Sequence, residues 1–67
     1  MPSRRVVRAL ERLGFGVRKV EGSHYHFRHP DGRRLVIPFH GEVRVGLLLD
    51  SLKLANITWE AFEEALH

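Results

Sequence analysis

Residues 22–40 read Gly22-Ser23-His24-Tyr25-His26-Phe27-Arg28-His29-Pro30-Asp31-Gly32-Arg33-Arg34-Leu35-Val36-Ile37-Pro38-Phe39-His40. Two short alternating runs flank Pro30-Asp31-Gly32. Proline presets φ, aspartate bonds its own backbone and glycine takes positive φ, so this tripeptide predicts a hairpin turn. The run before it predicts a strand over 24–29, with Tyr25 and Phe27 on one side and His24, His26 and Arg28 on the other. The run after it predicts a strand over 33–37, with Leu35 and Ile37 sharing a face. Pro38 ends its hydrogen-bonding capacity. Upstream, Phe15-Gly16-Val17-Arg18-Lys19-Val20 reads as a first strand, and Glu21-Gly22-Ser23 as the turn out of it.

Helical patterns lie on both sides of this sheet. Residues 3–13 place Val6, Val7, Leu10 and Leu13 on one apolar stripe, with Ser3 as N-cap and Gly14 as a left-handed C-terminal cap. Arg5, Arg8 and Arg12 form a basic ridge on the same helix, with Arg4 beside it. Residues 43–55 predict a second helix with Val45, Leu48, Leu49, Leu52 and Ala55 buried. Leu47 and Leu54 lie off that stripe and either widen the core contact or form an exposed apolar patch. Asn56 is a helix stop. Thr58 is a candidate cap for a short final helix with Trp59, Phe62 and Leu66 inside. The expected fold is α+β, ordered α-β-β-β-α with a short C-terminal helix. A three-stranded antiparallel sheet then carries its helices on one face. Double-stranded-RNA-binding domains share this topology, and topology alone does not assign function.

The chain has 67 residues, so residues 1–67 are expected to form a single domain. A domain of this size buries only about 60% of its unfolded surface and has no room for a deep enclosed cavity. Any active site must be open. The absence of cysteine excludes disulfides, cysteine-type zinc fingers and thiol catalysis. No apolar run approaches the ~20 residues of a membrane span, and no signal-peptide pattern opens the chain. A cytoplasmic location with no membrane partner is expected.

The formal charge of +3 hides an asymmetry. Residues 1–34 sum to +6 and residues 35–67 to −3. Four of the five histidines fall within residues 24–40. Most of the basic residues are arginine, which suits bidentate phosphate recognition. A basic half points to a polyanion such as nucleic acid, or equally to a solvated face.

The histidines narrow the chemistry. His24 follows Gly22-Ser23 at the start of the second strand; His40 follows Pro38-Phe39 at the end of the third. Antiparallel pairing makes these segments neighbours, so His24 and His40, and with them His26 and Arg28, are expected to converge. Histidine ordinarily titrates near neutrality. In RNA the 2′-hydroxyl is an internal nucleophile, so cleavage requires only a base, an acid and cations around the phosphate. No cofactor is called for. A rival use of His24, His26 and His40 is a three-histidine zinc site, although no acidic residue flanks His24 or His26 in sequence to orient a ligand. Two non-catalytic readings stand beside these: an RNA-binding module, and an adaptor whose basic face docks an acidic protein.

At these residues the chain resembles the HicA toxin family, the YcfA-like mRNA interferases. Leu10-Glu11-Arg12-Leu13-Gly14-Phe15 is similar to its leucine-x-x-x-Gly-Phe segment. Gly22-Ser23-His24 matches its Gly-Ser-His signature, and Pro38-Phe39-His40 its Pro-x-His element. The resemblance covers residues 4–66. It implies a double-stranded-RNA-binding-like fold, ribonuclease activity on mRNA and a HicB antitoxin partner, with His24 catalytic. Gly22, Ser23, His26 and His40 are supporting candidates. Arg4, Arg5, Arg8, Lys19 and Arg28 are candidates for phosphate contact. Family members often carry a basic residue where Phe39 stands, a Gly-Thr-Leu start where this chain has Gly46-Leu47-Leu48, and a glycine at the position of Asn56.

Overall fold

A computed structural model describes residues 1–67. The elements are α1 (Ser3–Arg12), β1 (Gly16–Glu21), β2 (His24–Arg28), β3 (Arg34–Pro38), α2 (Val45–Leu54) and α3 (Trp59–Ala65). The strands form one antiparallel sheet in the order β1-β2-β3. This is the expected α+β layout of double-stranded-RNA-binding domains, with the third helix present.

The alternation in β2 and β3 sorts the two faces of the sheet. Phe27, Leu35 and Ile37 are buried; His24, Arg28, Arg34 and Val36 are exposed. On the covered face α1 lies against β1 and α3, and α2 against β3. The core combines Val6, Ala9, Leu10, Phe15 and Phe27 with Leu48, Leu52 and Phe62. The other face has no helix over it. Every residue of β1 is exposed. This edge strand carries a bulge between Val17 and Lys19, and a bulge together with lysine and arginine blunts an edge against pairing with other chains.

Three local expectations are corrected. Ser3 is not the cap of α1: Pro2 holds that position, and the Ser3 side chain makes no cap bond. The Ser3 N–H instead donates to the Gly41 carbonyl at 3.1 Å, because the chain start pairs with the β3–α2 linker through a Pro2–Glu42 bridge. The stripe of α2 is rotated: Val45 and Leu49 are exposed, while Leu48, Ser51, Leu52 and Ala55 are buried. Leucines at 47, 48, 49, 52 and 54 make this helix apolar on more than one side, so its periodicity admits two faces. Small Ser51 lets the second one sit against β3. Trp59 stays more than one-third exposed, tilted on buried Phe62. Leu47 also remains exposed, and Leu54 is 88% exposed, so neither is taken fully into the core.

Other punctuation reads as expected. Gly14 ends α1 at φ 94°, and Asn56 stops α2 at φ 56°. The Thr58 hydroxyl accepts from the Ala61 N–H at 3.1 Å and caps α3.

Candidate active site

The turn between β1 and β2 is two residues long, with Gly22 at φ 59° supplying the conformation that side chains resist. It sets His24 opposite Glu21 on one side and opposite Pro38 on the other. Pro38 has no N–H, so the strand pairing continues one residue on, where the Phe39 N–H donates to the Ser23 carbonyl at 2.7 Å. That bond ties residues 22–24 to 38–40. Ser23 Oγ then lies 3.4 Å from His40 Nε2, a long contact. His24 and His40 are both exposed at this end of the sheet. The segments expected to converge do so.

His26 shares the helix-free face with His24 and is half-buried. Its Nε2 lies 3.0 Å from Glu21 Oε1, and Lys19 Nζ lies 3.4 Å from the same oxygen. An acidic partner for a histidine is therefore present after all. It reaches His26 diagonally from the neighbouring strand, two positions along from Lys19, the direct partner of His26, a relation that flanking sequence does not reveal.

Arg28 does not join the histidines. It pairs with Gly16 and Arg34 at the far end of β2, about 13 Å along the strand from His24. Strand alternation gives it the same face as His24 but not the same place.

The helix candidates divide. Arg4 and Arg8 line an open groove of about 390 Å³ between α1 and the sheet, floored by Tyr25 and Phe39. Arg5 is exposed but outside that groove. Phe39 is 7% exposed and meets Tyr25 edge-on with ring centroids 4.6 Å apart, so position 39 is filled by a core aromatic. The groove lies near the histidine end: Phe39, which lines it, precedes His40, and Ser3, also in its wall, is bonded to Gly41.

Two arginines of the basic half are taken up by the fold. Arg12 Nη1 donates to the Ala65 carbonyl at 2.8 Å and fastens α3 to α1. Arg33 Nη1 donates to the Ala55 carbonyl at 2.7 Å, and its guanidinium lies 5.1 Å from the Phe15 ring centroid. Both cations sit against carbonyls that end helices, where the helix dipole favours positive charge. Arg33 also holds Asp31. Its backbone N–H donates to Oδ1 at 3.0 Å and its Nε to Oδ2 at 2.8 Å. These contacts, the backbone bond foremost, hold the Asp31 carboxyl below its ordinary value.

Two further cations, outside the candidates named from the sequence, belong to the helix-free face. Arg18 and Arg34 line a cleft of about 350 Å³ together with Lys19 and His26. Arg34 is legible from the alternation of β3, once Leu35 and Ile37 are taken as inward. Arg18 is not, because the bulge puts it beside Lys19 rather than on the opposite face. His24, His26 and His40 do not gather as a metal-ligand set, and no group of three or more histidines and carboxylates does so.

The geometry thus presents two exposed histidines at one sheet end, a carboxylate-bound histidine on the helix-free face, and unpaired cations on both sides of the sheet. No curated protein matches the chain. The family model of the HicA toxin of bacterial toxin-antitoxin systems matches residues 3–57. That span runs from the first residue of α1 through the whole of α2 and takes in Gly22-Ser23-His24 and Pro38-Phe39-His40, and the chain belongs to the HicA toxin family.

Proposed function

We propose that this toxin acts as an endoribonuclease on mRNA in the cytoplasm and is silenced by a HicB-like antitoxin. His24 is its general acid or base. The observation that carries the reading is the bond between the Phe39 N–H and the Ser23 carbonyl, which sets His24 and His40 at one exposed end of the sheet. In-line cleavage needs two proton transfers. One group removes the proton from the 2′-hydroxyl as its oxygen attacks phosphorus. Another gives a proton to the departing 5′-oxygen. The products are a 2′,3′-cyclic phosphate and a 5′-hydroxyl, and no other reactant is consumed. His24 performs one transfer, with His40 or His26 as the candidate for the other. Gly22 and Ser23 hold the turn that presents His24. Arg4, Arg5, Arg8, Lys19 and Arg28 are the proposed phosphate contacts. An exposed site suits a strand that must be laid across it rather than enclosed, and an antitoxin that covers the site would stop the reaction.

The test replaces His24 by Ala and follows RNA on a denaturing gel, with growth arrest on expression as a second readout. Loss of a general acid–base group lowers the rate about 10²–10⁴-fold. Undiminished cleavage by a folded variant would refute the role of His24. Cleavage by wild-type protein is expected to persist in EDTA. Binding of RNA with no cleavage by wild type would leave the non-catalytic RNA-binding reading in its place.

A further inference from the structure

The helix-free face carries a second constellation beside the histidine end. Its cleft is lined by four side chains, Arg18, Lys19, His26 and Arg34, and by no hydrophobic residue. Three are permanent cations drawn from two outer strands, converging over a histidine on the central strand. Two local features produce this. The bulge in β1 turns Arg18 to the same side as Lys19, opposite His26. The register of β3 puts Arg34 beside Arg28, one step from the Val36 that faces His26. Only one carboxylate touches the cluster: Glu21, which contacts Lys19 at 3.4 Å and His26 at 3.0 Å. Arg18 and Arg34 form no ion pair. Like charges gathered around one cleft repel, and three cations with one carboxylate leave a net positive concavity that an anion would neutralise.

We propose that this cleft is a phosphate subsite for the RNA strand, separate from the catalytic histidine and adjacent to it. Arg18 and Arg34 are its principal contacts. The inference rests on the ribonuclease reading above and adds where the strand lies. His26, at the near end of the cleft, is two residues from His24, about 7 Å along β2, and Arg34, opposite Arg28, is about 13 Å along it. Those distances are on the scale of one to two steps between phosphates in an extended strand, so a phosphate in the cleft would lie one or two along from the one at His24. The sheet, rather than a mobile loop, fixes the separation. Glu21 is the internal competitor of the subsite. Its carboxylate occupies Lys19 and His26 in the absence of RNA and must give them up, in part, when a phosphate arrives.

The cleft is tested by titrating the protein with a 2′-O-methyl uridine 12-mer, which lacks the attacking hydroxyl and stays intact. Affinity is measured across a series of salt concentrations. Each lost phosphate contact on a single strand lowers the salt slope by about 0.7. Arg18→Ala/Arg34→Ala is expected to lower the slope by about 1.4 and the affinity at 0.1 M salt by about 25-fold. Glu21→Gln is expected to raise both. All these side chains are exposed or half-buried, and circular dichroism checks that the variants fold. If the wild type binds the oligonucleotide and neither variant changes the slope, the subsite is wrong while the ribonuclease reading stands. If the wild type does not bind the oligonucleotide at any salt concentration, both fall together.

Discussion

Arg33 belongs with the arginines that build this fold rather than with those left free at its surface, and its removal can be worked out in advance. Besides its Nε bond to Asp31, its guanidinium makes one short bond to a backbone carbonyl, that of Ala55 at 2.7 Å, and a longer one to Asn56 at 3.4 Å. It also lies over Phe15. The side chain is 36% exposed, so the low end of each range applies. A hydrogen bond to a charged group contributes about 1.5 kcal/mol at that end. The cation–π contact adds about 0.5 kcal/mol. The Asp31 ion pair is exposed and adds little. Arg33→Ala is therefore expected to cost about 2 kcal/mol. Against the total of roughly 3–10 kcal/mol that 67 residues sustain, this is a large fraction. The expected fall in Tm is on the order of 10 °C. Urea unfolding followed by circular dichroism gives the free energy, and Arg33→Lys should recover only part of it, since an ammonium lacks the planar fork. The salt slope of oligonucleotide binding should not change. A loss below about 0.5 kcal/mol would refute the structural assignment, and a slope reduced by about 0.7 or more would move Arg33 into the RNA-binding set.

Two further outcomes follow from the loops. Gly14→Ala forces a side chain to φ 94° and sets its Cβ 2.7 Å from His29 Nε2; a loss of about 1–2 kcal/mol in urea unfolding is expected, and no loss would mean that α1 can end another way. Asp31 is held below its ordinary value of 3.8 in the fold, so its contribution is present above that pH and disappears as pH falls through the lowered value. The stability difference between wild type and Asp31→Asn should shrink as pH drops from 5 toward 2, and a difference constant over that range would contradict the Arg33–Asp31 contacts.

The sheet was legible because its signals are local. Pro30-Asp31-Gly32 makes one turn whatever surrounds it, and alternation about that turn assigns Phe27, Leu35 and Ile37 to the core. The meeting of residues 22–24 with 38–40 follows from antiparallel pairing alone. The face of α2 was not legible, because Leu47, Leu48 and Leu49 are equally apolar and only packing against β3 distinguishes them. Glu21 and Arg18 were hidden for a different reason. One acts across a strand boundary and the other depends on a bulge, and neither relation has a period in the sequence. The charge asymmetry also overcounted. Arg12 and Arg33 contribute to the +6 of the first half, yet both are committed to helix-ending carbonyls.

This division matters for how so small a protein would hold the RNA proposed as its substrate. An open site lies in high dielectric, where one pair of opposite charges at contact distance is worth only about 1 kcal/mol. Affinity must then come from several phosphates bound at once. A helix surface turns through 3.6 residues and presents at most a few cations in one direction, as Arg4 and Arg8 do beside their groove. A bare sheet face presents every second residue of each strand in parallel rows. Here the rows carry Arg18 and Lys19, then His24, His26 and Arg28, then Arg34. Placing all three helices on the other side leaves those rows uncovered. The fold that lacks the size for a pocket thus gains a flat, charged track that leads to His24, and the same exposure leaves the track open to any acidic surface that covers it.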